Sequence, residues 1–315
     1  MEMEKVPKAG FEIVGLPIAG INRSNMLANL KFPFKLINSL RLAYKTVNAF
    51  KPNAAIGVGG YASGPTLLMA NFKGVKTLLQ EQNSYAGITN KFLSKKASRI
   101  CVAYPKMEAF FPKEKIVFTG NPVRKDIIES NKTPKEALSN FGLNEGKKTL
   151  LIIGGSQGAR SINRAIEAGI KELNTAGLQL IWQTGKNFKS AFPTDSNNCI
   201  SEFIYEMDLA YKAADIVISR AGALSVSELC LTNKPSILVP LPSAAEDHQT
   251  MNAMSLVNER AALLVKDIEV GKELIPAAIN LANDTELQAE LALNIKAFAK
   301  PKAAEEIVNE ILSLI

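Results

Sequence analysis

Apolar residues fall along this chain in blocks of two kinds. Short runs rich in apolar residues at 54–58, 76–79, 99–103, 115–118, 149–153, 178–182, 199–204, 215–219, 236–240 and 262–265 predict buried strands. Between many of them lie longer stretches with apolar positions every three or four residues. The clearest, at 159–175, 207–214, 225–232 and 249–258, predict amphipathic helices. Largely apolar strands alternating with crossover-length helices imply parallel sheets with helices on both faces. Residues 11–16 form one more strand-like run, and two or three helices are expected between 270 and 314.

The joints carry the second signal. In Leu150-Leu-Ile-Ile-Gly-Gly-Ser-Gln-Gly-Ala-Arg-Ser-Ile-Asn163 an apolar strand stops at a glycine turn and a helix follows. Glycines there let the backbone approach an anion, and the first free N–H groups of the helix point at it. The plan recurs after residues 54–58, at Gly59, Gly60 and Tyr61, and again at residues 215–225. Gly120 and Pro122 mark a crossing between two such halves, and Thr133-Pro-Lys-Glu136 reads as a capping box that opens the first helix beyond it. The expected layout is a first Rossmann-like domain over 1–122, a second over 123–300, and a C-terminal helix at 301–315 packing back on the first.

Charge changes the picture in one place. The chain carries 37 Lys+Arg against 30 Asp+Glu, a net +7, which calls for an anionic partner. Between Ile21 and Lys51 stand six cations, Arg23, Lys31, Lys35, Arg41, Lys45 and Lys51, and no acid. They are interleaved with Met26, Leu27, Leu30, Phe32 and Phe34. Such a segment suits an anionic membrane surface, while Leu36, Leu40, Ala43 and Val47 have the spacing of a helix core stripe. No apolar run reaches the length that crosses a bilayer, so a cytoplasmic protein that can still sit on a membrane surface is expected. Nucleic acid is not, since no stacking platform or recognition motif accompanies the charge. Cys101, Cys199 and Cys230 lack metal-site spacing, and no Asp-x-Asp occurs to hold a divalent ion. Neither metal nor cofactor is expected.

Six ordered strings then resemble one family. They are Gly57-Val-Gly-Gly-Tyr-Ala-Ser-Gly-Pro65, Glu81-Gln-Asn83, Gly120-Asn-Pro-Val-Arg124, Gly154-Gly-Ser-Gln-Gly-Ala-Arg160, Arg220-Ala-Gly-Ala-Leu-Ser-Val-Ser-Glu228, and His248-Gln249 with Asn252. Together they look like the MurG family of bacterial N-acetylglucosaminyltransferases, which convert lipid I to lipid II in peptidoglycan synthesis. The resemblance implies an α/β GT-B fold of two facing Rossmann-like domains with parallel sheets. It also implies an inverting transfer from UDP-GlcNAc, with the donor held by the second domain and the lipid I acceptor by the first. Position by position, it places Ser156 at the diphosphate, Ile204 at the uracil, and Ala223 and Leu224 at the phosphate–glycine loop, with Ser225, Val226 and Ser227 following. Glu228 falls at the ribose hydroxyls. Asn83, Arg124, His248 and Gln249 complete the donor site, the last two near the sugar, and Gly59, Gly60 and Tyr61 line the acceptor pyrophosphate.

Alternatives stay open at two of these positions. Ser225-Val-Ser-Glu228 is itself a capping box, in which Glu228 would bond its own helix and not a ribose. His248, the sole histidine, suits a general base as well as a sugar contact, and it stands where some members carry glutamine. The family's leading strand, its Gly-Gly-Thr-Gly-Gly-His loop and the helix after it are not found. On that reading the first domain lacks its leading β-loop-α unit, no catalytic residue is nominated, and slow transfer with intact donor binding is expected. Two rival classes are a UDP-GlcNAc 2-epimerase of the same architecture and, less well supported, an NAD dehydrogenase, for which the glycine fingerprint and its ribose-binding acid are missing.

Overall fold

The computed structural model describes residues 2–18, 20 and 30–315. Contacts divide the chain into two compact units. Met1–Gln82, Ala86–Phe118 and Ile307–Ile315 form the first, Asn83–Tyr85 and Thr119–Glu306 the second. The first change of unit along the main path thus comes at 118, before Gly120. Residues 83–85 join the second unit, and the return to the first comes at 307.

In the first unit a short helix α1 (Glu2–Lys8) buries nothing. Residues 11–16, expected as a strand, are irregular, with Phe11 and Val14 exposed. Extended backbone needs a ladder partner to satisfy its N–H and C=O groups, and among the described residues β1 (Ala54–Gly57) bonds only to the strand on its other side. Helix α2 (Phe32–Phe50) starts four residues ahead of Leu36, the first residue of the expected core stripe, with Pro33 in its first turn. Its buried face is Ser39, Ala43 and Val47, flanked by half-buried Leu36 and Leu40. After β1 come α3 (Gly60–Phe72), β2 (Lys76–Glu81), α4 (Ile88–Ser94), β3 (Arg99–Val102) and β4 (Ile116–Phe118). Among the described residues its four strands are parallel in the order β1-β2-β3-β4.

The second unit opens with α5 (Lys125–Glu129) and α6 (Pro134–Asn140). The Thr133 capping box forms as read: its hydroxyl accepts from the Glu136 N–H, and Glu136 accepts from the Thr133 N–H. There follow β5 (Lys148–Ile153), α7 (Arg160–Thr175), β6 (Leu178–Gln183), β7 (Asn198–Ser201), α8 (Met207–Ala213), β8 (Ile216–Ser219), α9 (Ala223–Thr232), β9 (Ser236–Leu238), α10 (His248–Val257), β10 (Leu263–Leu264), α11 (Val270–Asn283) and α12 (Thr285–Lys296). Strands β7 to β10 are shorter than their apolar runs, because pairing stops where the neighbouring strand ends.

All six strands are parallel in the order β10-β9-β8-β5-β6-β7. Direction of travel therefore reverses at β5, the first strand of the unit, and the crevice at the carboxyl ends of β5 and β8 is where such sheets bind ligands. The register aligns those ends: Ile153 pairs with Gln183 on one side and Ser219 on the other. Beneath the crevice Ile162, Ile166, Ile170 and Leu173 of α7 pack on Trp182, Leu180 and the α11 residues Leu274 and Ala278. Gly169 lets α11 close on α7, since a Cβ there would strike Ile275. A final helix α13 (Ala303–Leu312) returns the chain to the first unit, where Ile307 packs on Leu78 and Cys101.

Candidate functional site: the crevice at the carboxyl edge of the second sheet

Strand β5 is buried from Thr149 to Ile153 and ends in a turn that only glycines can make. Gly155 and Gly158 take φ of +79° and +75°, the left-handed region that L side chains avoid. A Cβ on Gly158 would overlap the Thr184 carbonyl, so this loop is seated directly on the backbone that leaves β6. Helix α7 begins at Arg160 behind Ala159, with no side-chain cap. The N–H groups of its first turn have no partner within the helix and aim at the space above the loop. Helix α9 repeats the design behind Gly222, again with no side-chain cap.

These ends share a cavity of about 580 Å³, lined by Gly154, Gly155, Gly158, Ser225 and Gln249 together with Arg160, Arg164, Arg220 and Asp267. Its positive helix ends and guanidinium groups suit an anion such as a diphosphate. Of the expected donor residues, Ser225 and Gln249 line this cavity, and Gln249 Oε1 accepts from the Leu241 N–H at 3.0 Å. Ser156 stands exposed on the loop itself. Ala223 is the first residue of α9 and Leu224 is exposed beside it. Val226 points into the core and its N–H is bonded to the Gly222 carbonyl, so neither serves a ligand. Ser227 donates to the Ala223 carbonyl at 3.0 Å and accepts from Asn121 Nδ2 at 3.1 Å.

The Ser225–Glu228 capping box does not form. The helix starts at Ala223, which puts Ser225 at its third position, and Glu228 Oε2 accepts instead from the Tyr211 hydroxyl at 2.9 Å. Burial pushes the Glu228 carboxyl above its ordinary range, while the Tyr211 hydrogen bond and the Arg124 charge act to lower it and Asp126 to raise it. Tyr211 is buried, and that burial with the Glu228 charge holds its phenol well above the usual value, so it donates. Arg124 itself is half-exposed just ahead of α5, 3.9 Å from Asp126.

The remaining expected residues lie apart from the cavity lining. Ile204 is buried and its N–H donates to Gln183 Oε1 at 3.0 Å. Asn83 accepts from Asn252 Nδ2 at 3.1 Å, and Asn252 Oδ1 accepts from the Ser84 N–H at 2.9 Å, the bonds that tie residues 83–85 to this unit. His248 opens α10 with Nδ1 2.5 Å from the Ala245 carbonyl, so that nitrogen carries the proton. In the first unit Gly59 and Gly60, with φ of +87° and +75°, start α3 with open space at both Cα atoms, and Tyr61 is exposed beside them.

Arg220 stands first in one of the six strings, and the resemblance implies no role for it. Its Nη1 donates to the Val239 and Pro240 carbonyls at 3.1 Å and to Asp267 Oδ1 at 2.6 Å, and its Nη2 donates to Ser161 Oγ at 2.9 Å. One buried guanidinium thus ties the first turn of α7 to the strand ends beside it, which holds the N-terminal end of that helix in place. The available signal was an arginine placed directly after a buried strand.

The glycosyltransferase family 28 C-terminal domain matches residues 149–307, and the N-terminal domain of the same family matches 1–102. The UDP-N-acetylglucosamine–N-acetylmuramyl-(pentapeptide) pyrophosphoryl-undecaprenol N-acetylglucosamine transferase of Parabacteroides distasonis is 52% identical over 322 aligned residues, covering 100% of this chain and 87% of that protein. Among solved structures, MurG of Acinetobacter baumannii superposes with a TM-score of 0.79 at 29% identity, covering 99% of this chain and 88% of that one. A UDP-GlcNAc 2-epimerase from Neisseria meningitidis, bound to UDP-GlcNAc, shares the fold at a TM-score of 0.66 and 16% identity, covering 89% and 81%. Two units of parallel sheet, a crevice at the switch point of the second whose helix ends suit an anion, and these matches give one answer: the chain has the GT-B fold and belongs to glycosyltransferase family 28.

Proposed function

We propose that this chain transfers N-acetylglucosamine from UDP-GlcNAc to undecaprenyl-pyrophosphoryl-MurNAc-pentapeptide, with inversion, to give lipid II for peptidoglycan synthesis. The observation that carries the donor half is the pair of uncapped helix ends at the switch-point crevice. The identity of the reaction rests on the 52%-identical relative. The leaving UDP diphosphate lies on residues 154–158, where the N-termini of α7 and α9, with Arg124, meet its developing negative charge. Glu228 accepts from the ribose hydroxyls, the uracil lies by Ile204, and Gln249 and His248 face the sugar, with Asn83 completing that end. Gly59, Gly60 and Tyr61, at the open start of α3, take the acceptor pyrophosphate.

Calorimetry with UDP-GlcNAc checks the donor half. The wild type is expected to bind, and Ser156→Trp, whose indole would fill the space above the loop, to lose at least about 10-fold in affinity by denying the diphosphate its backbone donors. No binding by the wild type, or equal binding by the variant, would remove the assignment. A change in the sugar of UDP-GlcNAc without any lipid acceptor would favour the epimerase class.

The chain also docks peripherally on the cytoplasmic face of the plasma membrane, through residues 26–35. The part of that segment at 26–29 lies outside the described residues. Beyond it, Leu30 and Phe34 are each 72% exposed and stand beside Lys31 and Lys35, while the opposite face of α2 is buried. Among the described residues no helix is long and apolar enough to cross a membrane. Each cation near an anionic surface contributes about 1 kcal/mol. Co-sedimentation is therefore expected with anionic vesicles at low salt, and to fall at high salt. Equal binding to neutral vesicles would refute the electrostatic part.

A further inference from the structure

At the end of β6 one buried side chain joins two loops. Gln183, 4% exposed, donates from Nε2 to the Gly155 carbonyl at 3.0 Å, and its Oε1 accepts from the Ile204 N–H at 3.0 Å. Gly155 is a left-handed residue of the loop after β5. Ile204 lies beyond β7, between Phe203 and Tyr205, whose rings meet edge to face with centroids 4.9 Å apart. The strand end that carries Gln183 is itself immobilised. Asn163 of α7 donates to the Thr184 carbonyl at 2.7 Å and accepts from Trp182 Nε1 at 3.1 Å. Gln183 therefore projects from a rigid base and sets the separation of two loops that have no covalent connection near it.

We infer that Gln183 is a positioning residue of the nucleotide site, holding the diphosphate loop and the base-side loop at the spacing a nucleoside diphosphate requires. The inference rests on the donor-site reading above. A primary amide is the group that fits the place, because it offers a donor to a carbonyl and an acceptor to an N–H at the same time. An ionised carboxylate of the same length keeps the bond from Ile204 but sets negative oxygen against the Gly155 carbonyl. Methionine keeps the length and loses both bonds. Neither loop is removed by such changes, so each half of the ligand keeps its own contacts, and the loss falls on ligands that span the two.

The experiment is calorimetry with UDP, uridine and inorganic pyrophosphate on the wild type, Gln183→Met and Gln183→Glu, with thermal unfolding alongside. Gln183→Met is expected to weaken UDP by about 10-fold or more, as two buried backbone groups lose their partners. Uridine and pyrophosphate taken singly are expected to change by less than roughly 3-fold, because each touches one loop and gains nothing from their spacing. Gln183→Glu is expected to bind UDP poorly near pH 8. Its deficit relative to the wild type should shrink as the pH falls to about 5, where a protonated carboxyl regains a donor for Gly155. A merely structural role would lower the unfolding temperature and weaken all three ligands alike, with a deficit that does not vary with pH, and that result overturns the inference. So does UDP binding by Gln183→Met within about 3-fold of wild type. Should Gln183→Met fail to fold, the pH series on Gln183→Glu decides by the same criterion. Failure of the wild type to bind UDP overturns the donor-site reading itself, which separates the two failures.

Discussion

Gly158→Ala is expected to unseat the glycine loop after β5, with loss of both second-unit stability and the proposed donor binding. Two costs add. The residue sits at φ +75°, where an L side chain pays about 1–2 kcal/mol. The new methyl would also overlap the Thr184 carbonyl and close on Gly185, backbone atoms that cannot rotate away, for about another 1–3 kcal/mol of overpacking. Together these remove about 2–5 kcal/mol, a large share of the stability of an ordinary domain. Because relief comes from moving residues 154–158 or 184–185, the first turn of α7 loses its aim, and UDP-GlcNAc affinity is expected to fall by about 100-fold or more. Gly155→Ala is the informative companion. Its φ is similar, at +79°, but nothing lies within 4 Å of the added carbon. It should cost only the backbone term in stability, while its methyl enters the space assigned to the diphosphate. Thermal unfolding and calorimetry on both variants test this, and equal destabilisation by the two would show that the contact with Thr184 carries no weight.

Glu228→Gln is expected to separate binding from stability. The wild-type carboxyl is raised by burial above its unfolded value of 4.5. A raised acid binds more protons folded than unfolded, so its contribution to stability is fully present below the unfolded value and is lost as the pH climbs through the folded one. Ionised Glu228 therefore costs stability at neutral pH, and the glutamine variant should be no less stable there, with that part of the pH dependence gone. On the proposed ribose role donor binding has the opposite sign, because the ribose hydroxyls would donate to the carboxylate form. UDP-GlcNAc affinity in the wild type should rise with pH over the window just above ordinary carboxylate values. In the variant it should be flat over that window and weaker at neutral pH by about 10- to 100-fold, the worth of hydrogen bonds to a charged group. Calorimetry across that pH range on both proteins checks it. Identical affinity and identical pH dependence would leave Glu228 as a structural partner of Tyr211 and nothing more.

The sequence by itself determined the elements of the second unit and the character of its edge. Strands β5, β6 and β8 are buried on both faces, so each carries a short apolar run, Leu150–Ile153, Leu180–Trp182 and Ile216–Ile218, that needs no knowledge of its neighbours. The glycine turns are equally local, since a left-handed φ at Gly155 or Gly158 is a property of a single residue, and the Thr133 capping box spans only four positions. What only the tertiary structure decided involves partners far apart along the chain. Residues 11–16 have the composition of a strand but no ladder to join among the described residues, and extended backbone is stable only when paired. The serine and glutamate spacing at 225–228 offered a cap with sound local logic. It lost to Tyr211, seventeen positions earlier, once α8 and β8 had brought the phenol to the carboxyl. Arg220 meets Asp267 and Ser161, and Gln183 spans Gly155 and Ile204, because the strand order places the ends of β8, β5 and β6 side by side. Side-chain hydrogen bonds reach about 3 Å, so which polar groups hold a site together depends on that order, and neither hydrophobic period nor motif spacing encodes it.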